Sequence, residues 1–341
     1  MKIILFLIFS PLFVCCNATQ NQVGSKKTNV DYANTITANA LKKHLYIYAG
    51  DEMEGRMTGT KGQYMASNYI RDFYVKEGIE EAPGTDNYFQ NISASFFAGR
   101  RDAQPSENVV AFIKGSEKPE EIIVISAHLD HVGTDKEGNV FNGADDDGSG
   151  TVSILEIAQA FQQAVKDGNG PKRSILFLHV TGEEIGLYGS RYYTENPLFP
   201  LANTVCDLNI DMIGRVDPDK KDNPNYLYLI GSNMLSQELQ DVSTEVNNKY
   251  TKLELDYKYD DPNDPNRFYY RSDHYNFAKN DVPIIFYFNG VHEDYHKMTD
   301  TPDKIEYDLM AKRAQLIFYT AWEIANRDQR IAVDKKQKKQ V

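Results

Sequence analysis

Acidic residues and histidines in this chain gather just past the ends of short apolar runs. His128 and Asp130 follow the run 121–126, Glu183 and Glu184 follow 174–180, Asp211 ends 204–210, and His292 and His296 lie beyond 283–288. Residues 142–150 read N-G-A-D-D-D-G-S-G, with consecutive carboxylates at Asp145, Asp146 and Asp147. Three adjacent like charges repel one another, and a partly buried site holds them cheaply only if a cation compensates. A helix N-cap would account for one of them, not three. Zinc suits the donor set better than calcium or magnesium, because two histidines accompany the carboxylates and no site-forming cysteine is present. Two ions sharing one carboxylate would clamp a water and polarise a carbonyl together. Adjacent residues at a strand end point in different directions, so of Glu183 and Glu184 one can bind metal while the other transfers protons.

For these residues to meet, the apolar runs must lie side by side with one edge in common. The runs 108–113, 121–126, 174–180, 204–210, 226–230 and 283–288 have the length and composition of buried strands. Helical spacing predicts helices over 37–48, 62–76, 152–165, 234–247 and 306–326. Strands alternating with helices imply an α/β fold whose largely parallel sheet is covered on both faces, with ligands at the carboxyl edge of the strands. The segments 217–225 and 260–266, dense in Asp, Pro and Asn, read as turns without a site. Cys206 reads as a small buried residue, and His44 and His179 as core or surface groups.

Five motifs then occur in order: H-L-D-H at 128–131, G-A-D-D-D-G-S-G at 143–150, G-E-E-I-G-L-Y-G-S at 182–190, N-I-D-M at 209–212 and Y-H-K-M-T-D-T at 295–301. Together they resemble the co-catalytic dinuclear-zinc aminopeptidase family, whose relatives include glutamate carboxypeptidases and the mono-zinc glutaminyl cyclases. The resemblance runs from about residue 55 to 324 and implies the zinc-dependent exopeptidase fold, a mixed, mostly parallel central sheet flanked by helices on both faces. Only about fifty residues separate Gly59 from Asn108, so an inserted protease-associated domain is not expected. Carried over residue by residue, the resemblance makes Asp146 the carboxylate bridging two zinc ions. His128 and Asp211 would complete one ion, Glu184 and His296 the other. Glu183 becomes the general base, Tyr295 a candidate for stabilising the tetrahedral oxyanion, and Asp130 the acceptor for the free ring nitrogen of His128. His131 and His292 have no matched place and read as local hydrogen-bonding groups. Asp273 and His274, in R-S-D-H, either shape the substrate pocket or hold their loop.

The activity implied is hydrolysis of the first peptide bond of peptide or protein N-termini. A glutaminyl cyclase-like or carboxypeptidase activity is the alternative on the same fold; a non-catalytic binding protein should have lost a ligand or the base, and none is missing. The chain carries 49 acidic against 37 basic residues in 341, a net charge of −12, which excludes a nucleic-acid partner on charge balance. Residues 1–16, with Lys2, an apolar run and then Cys15 and Cys16, read as a secretion signal. Either a cysteine there is lipidated or the signal is simply cleaved, which places the protein outside the cytoplasm as a periplasmic or cell-surface lipoprotein or a secreted protein. Residues 17–34 read as a polar tether, 35–328 as a single zinc peptidase domain and 329–341 as a basic tail.

Overall fold

The central strands of this chain are apolar on both faces. In the segment Lys118–His128, Ile123, Ile125 and Ala127 belong to one buried cluster and Ile122 and Val124 to another. Only a sheet covered on both sides buries such a strand, and each isoleucine taken from water contributes about 2 kcal/mol.

The computed structural model describes residues 27–97, 104–261 and 263–335. In chain order the elements are α1 (Asn29–Ala33), α2 (Ala38–Tyr48), α3 (Lys61–Glu77), β1 (Glu80–Glu81), β2 (Phe89–Ile92), β3 (Ser106–Ile113), β4 (Lys118–His128), α4 (Gly150–Lys166), β5 (Arg173–Val180), α5 (Tyr188–Glu195), β6 (Thr204–Ile210), β7 (Tyr226–Ile230), α6 (Gln237–Val246), β8 (Glu254–Asp256), α7 (His274–Ala278), β9 (Ile284–Phe288) and α8 (Tyr307–Asn326). The sheet order is β1-β3-β5-β4-β6-β9-β7-β8, with β2 also pairing β3. The four central strands β5, β4, β6 and β9 are parallel, while β3 and β7 run against them on either side. The expected mixed, mostly parallel sheet is therefore present. Helices α2, α3, α4, α6 and α8 cover one face and α5 and α7 the other.

Helix termini follow local chemistry. Thr37 caps α2 by accepting from the Ala40 amide at 3.2 Å, and α3 stops at Gly78, whose left-handed backbone closes its last turn. From β4 the chain passes through α4 to β5 on one side and later returns to β6 on the other. The carboxyl end of β4 is thus the switch point at which a doubly wound sheet opens a crevice.

The folded body is longer than 35–328. Tyr32 and Ala33 of α1 are buried, with the Tyr32 ring stacked on Trp322 at 5.6 Å, so residues 29–34 pack rather than tether. Ile331 is buried and the Asp334 amide donates to the Leu235 carbonyl, so residues 331–335, the last described part of the tail, are docked as well. An aromatic or aliphatic side chain in a polar stretch finds a partner that local composition does not reveal. The signal at 1–16, most of the tether and Lys336, Lys338 and Lys339 lie outside the described residues.

One buried guanidinium ties the loops at this crevice together. Arg56 donates to the carbonyls of Leu129, Tyr48, Asn142 and Gly143 at 2.6–3.2 Å and lies over the Tyr48 ring. Four carbonyls lose a charged donor in Arg56→Met, and lysine cannot span them. We expect this variant to lose on the order of 3 kcal/mol of stability in urea denaturation, more than any exposed Arg→Met change.

Candidate metal centre

Four parallel strands deliver the site. His128 is the last residue of β4, Glu183 and Glu184 follow β5, Asp211 follows β6, and His296 lies in the loop after β9. The His128 Nε2 atom is 3.1 Å from Oδ1 of Asp146 and 3.6 Å from Oδ1 of Asp211. Nε2 of His296 is 3.0 Å from Oδ2 of Asp146 and 3.0 Å from Oε2 of Glu184. Asp146 therefore stands in the middle, with one oxygen towards each histidine. Glu183 and Tyr295 line the recess beside Asp146 and Asp211, so all seven residues expected to bind metal or act in catalysis converge.

The triplet divides its work. Asp147 serves the backbone: although a carboxylate oxygen lies within 4.8 Å of ligand atoms of His128 and Asp211, the carboxylate accepts from the amides of His128 (3.2 Å), Gly150 (2.9 Å) and Met212 (3.1 Å), tying the ends of β4 and β6 to the start of α4. Asp145 accepts from Gly214 N at 2.6 Å and meets His292 Nε2 at 3.1 Å. The Asp300 carboxylate in turn accepts from the Asp145 and Asp146 amides at 3.0 and 3.2 Å. Two aspartates thus anchor the loop so that the third is presented. Gly182, at φ +68°, lets the chain turn sharply from β5 into Glu183.

Asp130 does not take the expected partner. Nδ1 of His128 is 3.1 Å from the Asp130 carbonyl oxygen and 3.9 Å from its carboxylate. That carboxylate instead accepts from the Glu183 amide at 3.2 Å and the Thr58 hydroxyl at 2.7 Å. The residue still orients the site, but it acts on the backbone of Glu183, because the turn after β4 brings its carbonyl rather than its side chain under the ring. Ser272, which sequence reasoning passed over, donates to Oδ2 of Asp211 at 2.6 Å. Its neighbours in R-S-D-H hold the loop: Asp273 bonds Ser190 and His274 the Tyr269 carbonyl. Burial pushes the Asp273 carboxyl up to about 7. His131, expected to be a local group, stands inside the cluster with Nδ1 2.7 Å from Oε1 of Glu184. The only sequence sign of it is its place in H-L-D-H.

The field here favours positive charge. Burial opposes protonation of His128, yet the Asp211 and Asp146 carboxylates hold its ring well above the ordinary histidine value. Burial likewise would push Asp146 up, but the His128 and His296 rings hold it well below the carboxylate range. Glu183 behaves oppositely: burial, reinforced by Glu184 and Asp211 against the pull of His128, raises it well above its usual value. His128 Nε2, Asp146 Oδ2 and Glu184 Oε1 are all buried with no aligned hydrogen-bond partner. Orphaned donors of imidazole and carboxylate type converging within a few ångströms fit zinc, which takes such ligands and not a ring of amides.

Residues 108–321, more than half of the chain, match the model of peptidase family M28. The chain belongs to that family. A probable leucine aminopeptidase of Arthroderma benhamiae is 31% identical over 272 residues, covering 76% of this chain and 70% of that one. Among solved structures, BSAP, a zinc aminopeptidase from Bacillus subtilis, superposes with a TM-score of 0.66 at 14% identity, covering 88% of this chain and 98% of that one. A Bacteroides thetaiotaomicron glutaminyl cyclase bound to N-acetylhistamine superposes at 0.64 and 17% identity, covering 84% and 98%. At these identities the structural likeness speaks for the fold. This M28 protein is a zinc metallopeptidase, a hydrolase whose His, Asp and Glu groups could hold a pair of metal ions.

A metal held by these residues in the folded state and not in the unfolded chain would add to stability. Stripping the M28 chain with a chelator should lower its apparent stability by several kcal/mol, about 4 kcal/mol where zinc had exceeded its Kd a thousandfold. Calorimetry should show the melting temperature restored by two equivalents of zinc and not by one.

Proposed function

We propose that the chain is an aminopeptidase that removes apolar N-terminal residues from peptides, with Asp146 shared between two zinc ions. His128 and Asp211 would hold one ion, and Glu184 and His296 the other. The observation that carries this reading is the placement of Asp146, with one oxygen 3.1 Å from His128 and the other 3.0 Å from His296. When bound, the ions polarise the scissile carbonyl and make water nucleophilic at neutral pH.

The side chains do the rest. Glu183 borders the recess, and its amide is pinned by the Asp130 carboxylate, so its own carboxylate is steadied for proton transfer. It takes a proton from the attacking water and delivers it to the leaving amine. Tyr295 stacks on the His296 ring at 3.9 Å and faces the same recess. Burial and the surrounding carboxylates push its phenol up, so it stays a hydrogen-bond donor to the tetrahedral oxyanion. Phe268, Phe286, Phe288, Val291 and Met212 supply apolar surface beside Asp146 and Glu183, with Arg271 bordering the same recess. That surface suits a leucine-like or phenylalanine-like side chain, and the curated relative's name, probable leucine aminopeptidase, supports the same preference. The retained triplet and the complete ligand set favour two ions and hydrolysis over the one-zinc cyclase reading. The leader at 1–16 supports export, with Cys15 or Cys16 as the candidate lipidation site.

Elemental analysis should find two zincs per chain in wild type and in Glu183→Gln, while this variant loses about 10² to 10⁴ in kcat on leucyl-nitroanilide. Full activity in Glu183→Gln would remove the assigned base. Tyr295→Phe should lose about 10² to 10³ in kcat with KM little changed. A substrate panel should show leucyl and phenylalanyl substrates preferred over lysyl and glycyl ones, and N-acetylated substrates refused. Cleavage of the acetylated forms from their carboxyl end would favour the carboxypeptidase alternative.

A further inference from the structure

The segment R-S-D-H at 271–274 brings four consecutive polar side chains to the edge of the recess, and three of them are consumed by the fold. Ser272 donates to Asp211, Asp273 accepts from Ser190, and the His274 ring meets the Tyr269 carbonyl; all three are buried. Arg271 differs. Its amide donates to the Phe268 carbonyl at 3.0 Å, which fixes its backbone, yet its side chain is exposed and borders the recess together with Asp146, Glu183 and Asp211. The guanidinium lies over the Phe268 ring, 5.0 Å from the centroid. No carboxylate among the described residues pairs with it, and among those residues it is the one cation lining this recess.

The recess is graded from apolar to charged. Phe268, Phe286, Phe288 and Met212 are buried, whereas Arg271 stands in water at the mouth. Stacking on Phe268 engages the flat side of the guanidinium and leaves its in-plane N–H groups free to donate. We propose that Arg271 sets specificity for the first side chain of the substrate, extending it from apolar residues to N-terminal glutamate and disfavouring N-terminal lysine. The aliphatic stem of a glutamate packs along the phenylalanines, and its carboxylate meets the guanidinium at the mouth; an ammonium in the same place meets a like charge. The other residues lining the recess are acidic or uncharged, so nothing else there discriminates against a cation. This inference rests on the aminopeptidase reading and adds a substrate class to it, an apolar stem that ends in an anion.

The test uses the zinc-loaded full-length protein and substrate pairs of matched shape, so that each ratio of kcat/KM reports charge. Wild type should cleave glutamyl-nitroanilide about two- to fivefold better than glutaminyl-nitroanilide, and lysyl-nitroanilide about two- to fivefold worse than norleucyl-nitroanilide, as a solvent-exposed ion pair allows. Added salt should bring both ratios towards one. Arg271→Gln should bring them close to one at low salt, and Arg271→Glu should invert them. Calorimetric titration with free glutamate and free glutamine, the products, should show the same order of affinity in wild type without turnover, and the reverse order in Arg271→Glu. A ratio within one variant does not depend on how much of it is folded or on its general activity, so unchanged ratios in Arg271→Glu overturn the proposal. If wild type cleaves leucyl-nitroanilide and does not distinguish glutamyl from glutaminyl, this proposal fails and the aminopeptidase reading stands. If no aminoacyl-nitroanilide is cleaved, that reading fails and the proposal fails with it.

Discussion

Negative charge packed at one edge of a sheet is the constraint on which this structure turns. Asp130, Asp145, Asp146, Asp147, Asp211, Glu183, Glu184 and Asp300 are gathered within one crevice, most of them out of water. Isolated carboxylates so placed would simply take up protons. Here they are supported by backbone amides: three donate to Asp147, those of Asp145 and Asp146 to Asp300, and that of Gly214 to Asp145. These bonds oppose, without cancelling, the burial that raises Asp147 and Asp300 above the usual carboxylate range. The carboxylates so satisfied act as scaffold, while Asp146, Glu184 and Asp211 accept from no backbone amide among the described residues and turn towards His128 and His296 instead.

That division makes the fold and the chemistry inseparable. The amides that satisfy Asp147 belong to the end of β4, the start of α4 and the turn after β6, so the carboxylate that anchors the loop also joins the strands that carry His128 and Asp211. Because β4 sits at the point where the chain's connections diverge, these termini lie beside one another without any element having to bend towards the site. Arg56 closes the same crevice from the other side through main-chain carbonyls alone. Donors and acceptors around the centre are thus largely backbone, which holds side chains at sub-ångström tolerance better than mobile surface groups would.

Much of this was legible along the chain. The strands 204–210 and 226–230 coincide with β6 and β7 because continuous apolar runs between turn residues have no other stable place than a covered sheet. The ligands were legible because like-charged and imidazole groups at strand ends have few other uses together. What escaped was weakly patterned or non-local. The short β1, β2 and β8 have polar or two- to four-residue sequences that carry no period. The antiparallel direction of β3 and β7 depends on which neighbours they meet. Thr58, His131 and Ser272 act through contacts with Asp130, Glu184 and Asp211, and a lone hydroxyl or imidazole shows no sign of its partner in sequence.

The sequence by itself determined which chemical groups are available and at which edge they emerge, because strand length, apolar run and the residue following it are properties of contiguous chain. Only the tertiary structure decided which aspartate of the triplet is presented and which two are consumed as anchors, and where the Asp130 carboxylate points. It also decided that α1 and the segment after α8 belong to the folded body. Those choices depend on the direction of individual N–H and C=O groups from residues far apart along the chain. Such directions do not exist until the sheet has formed.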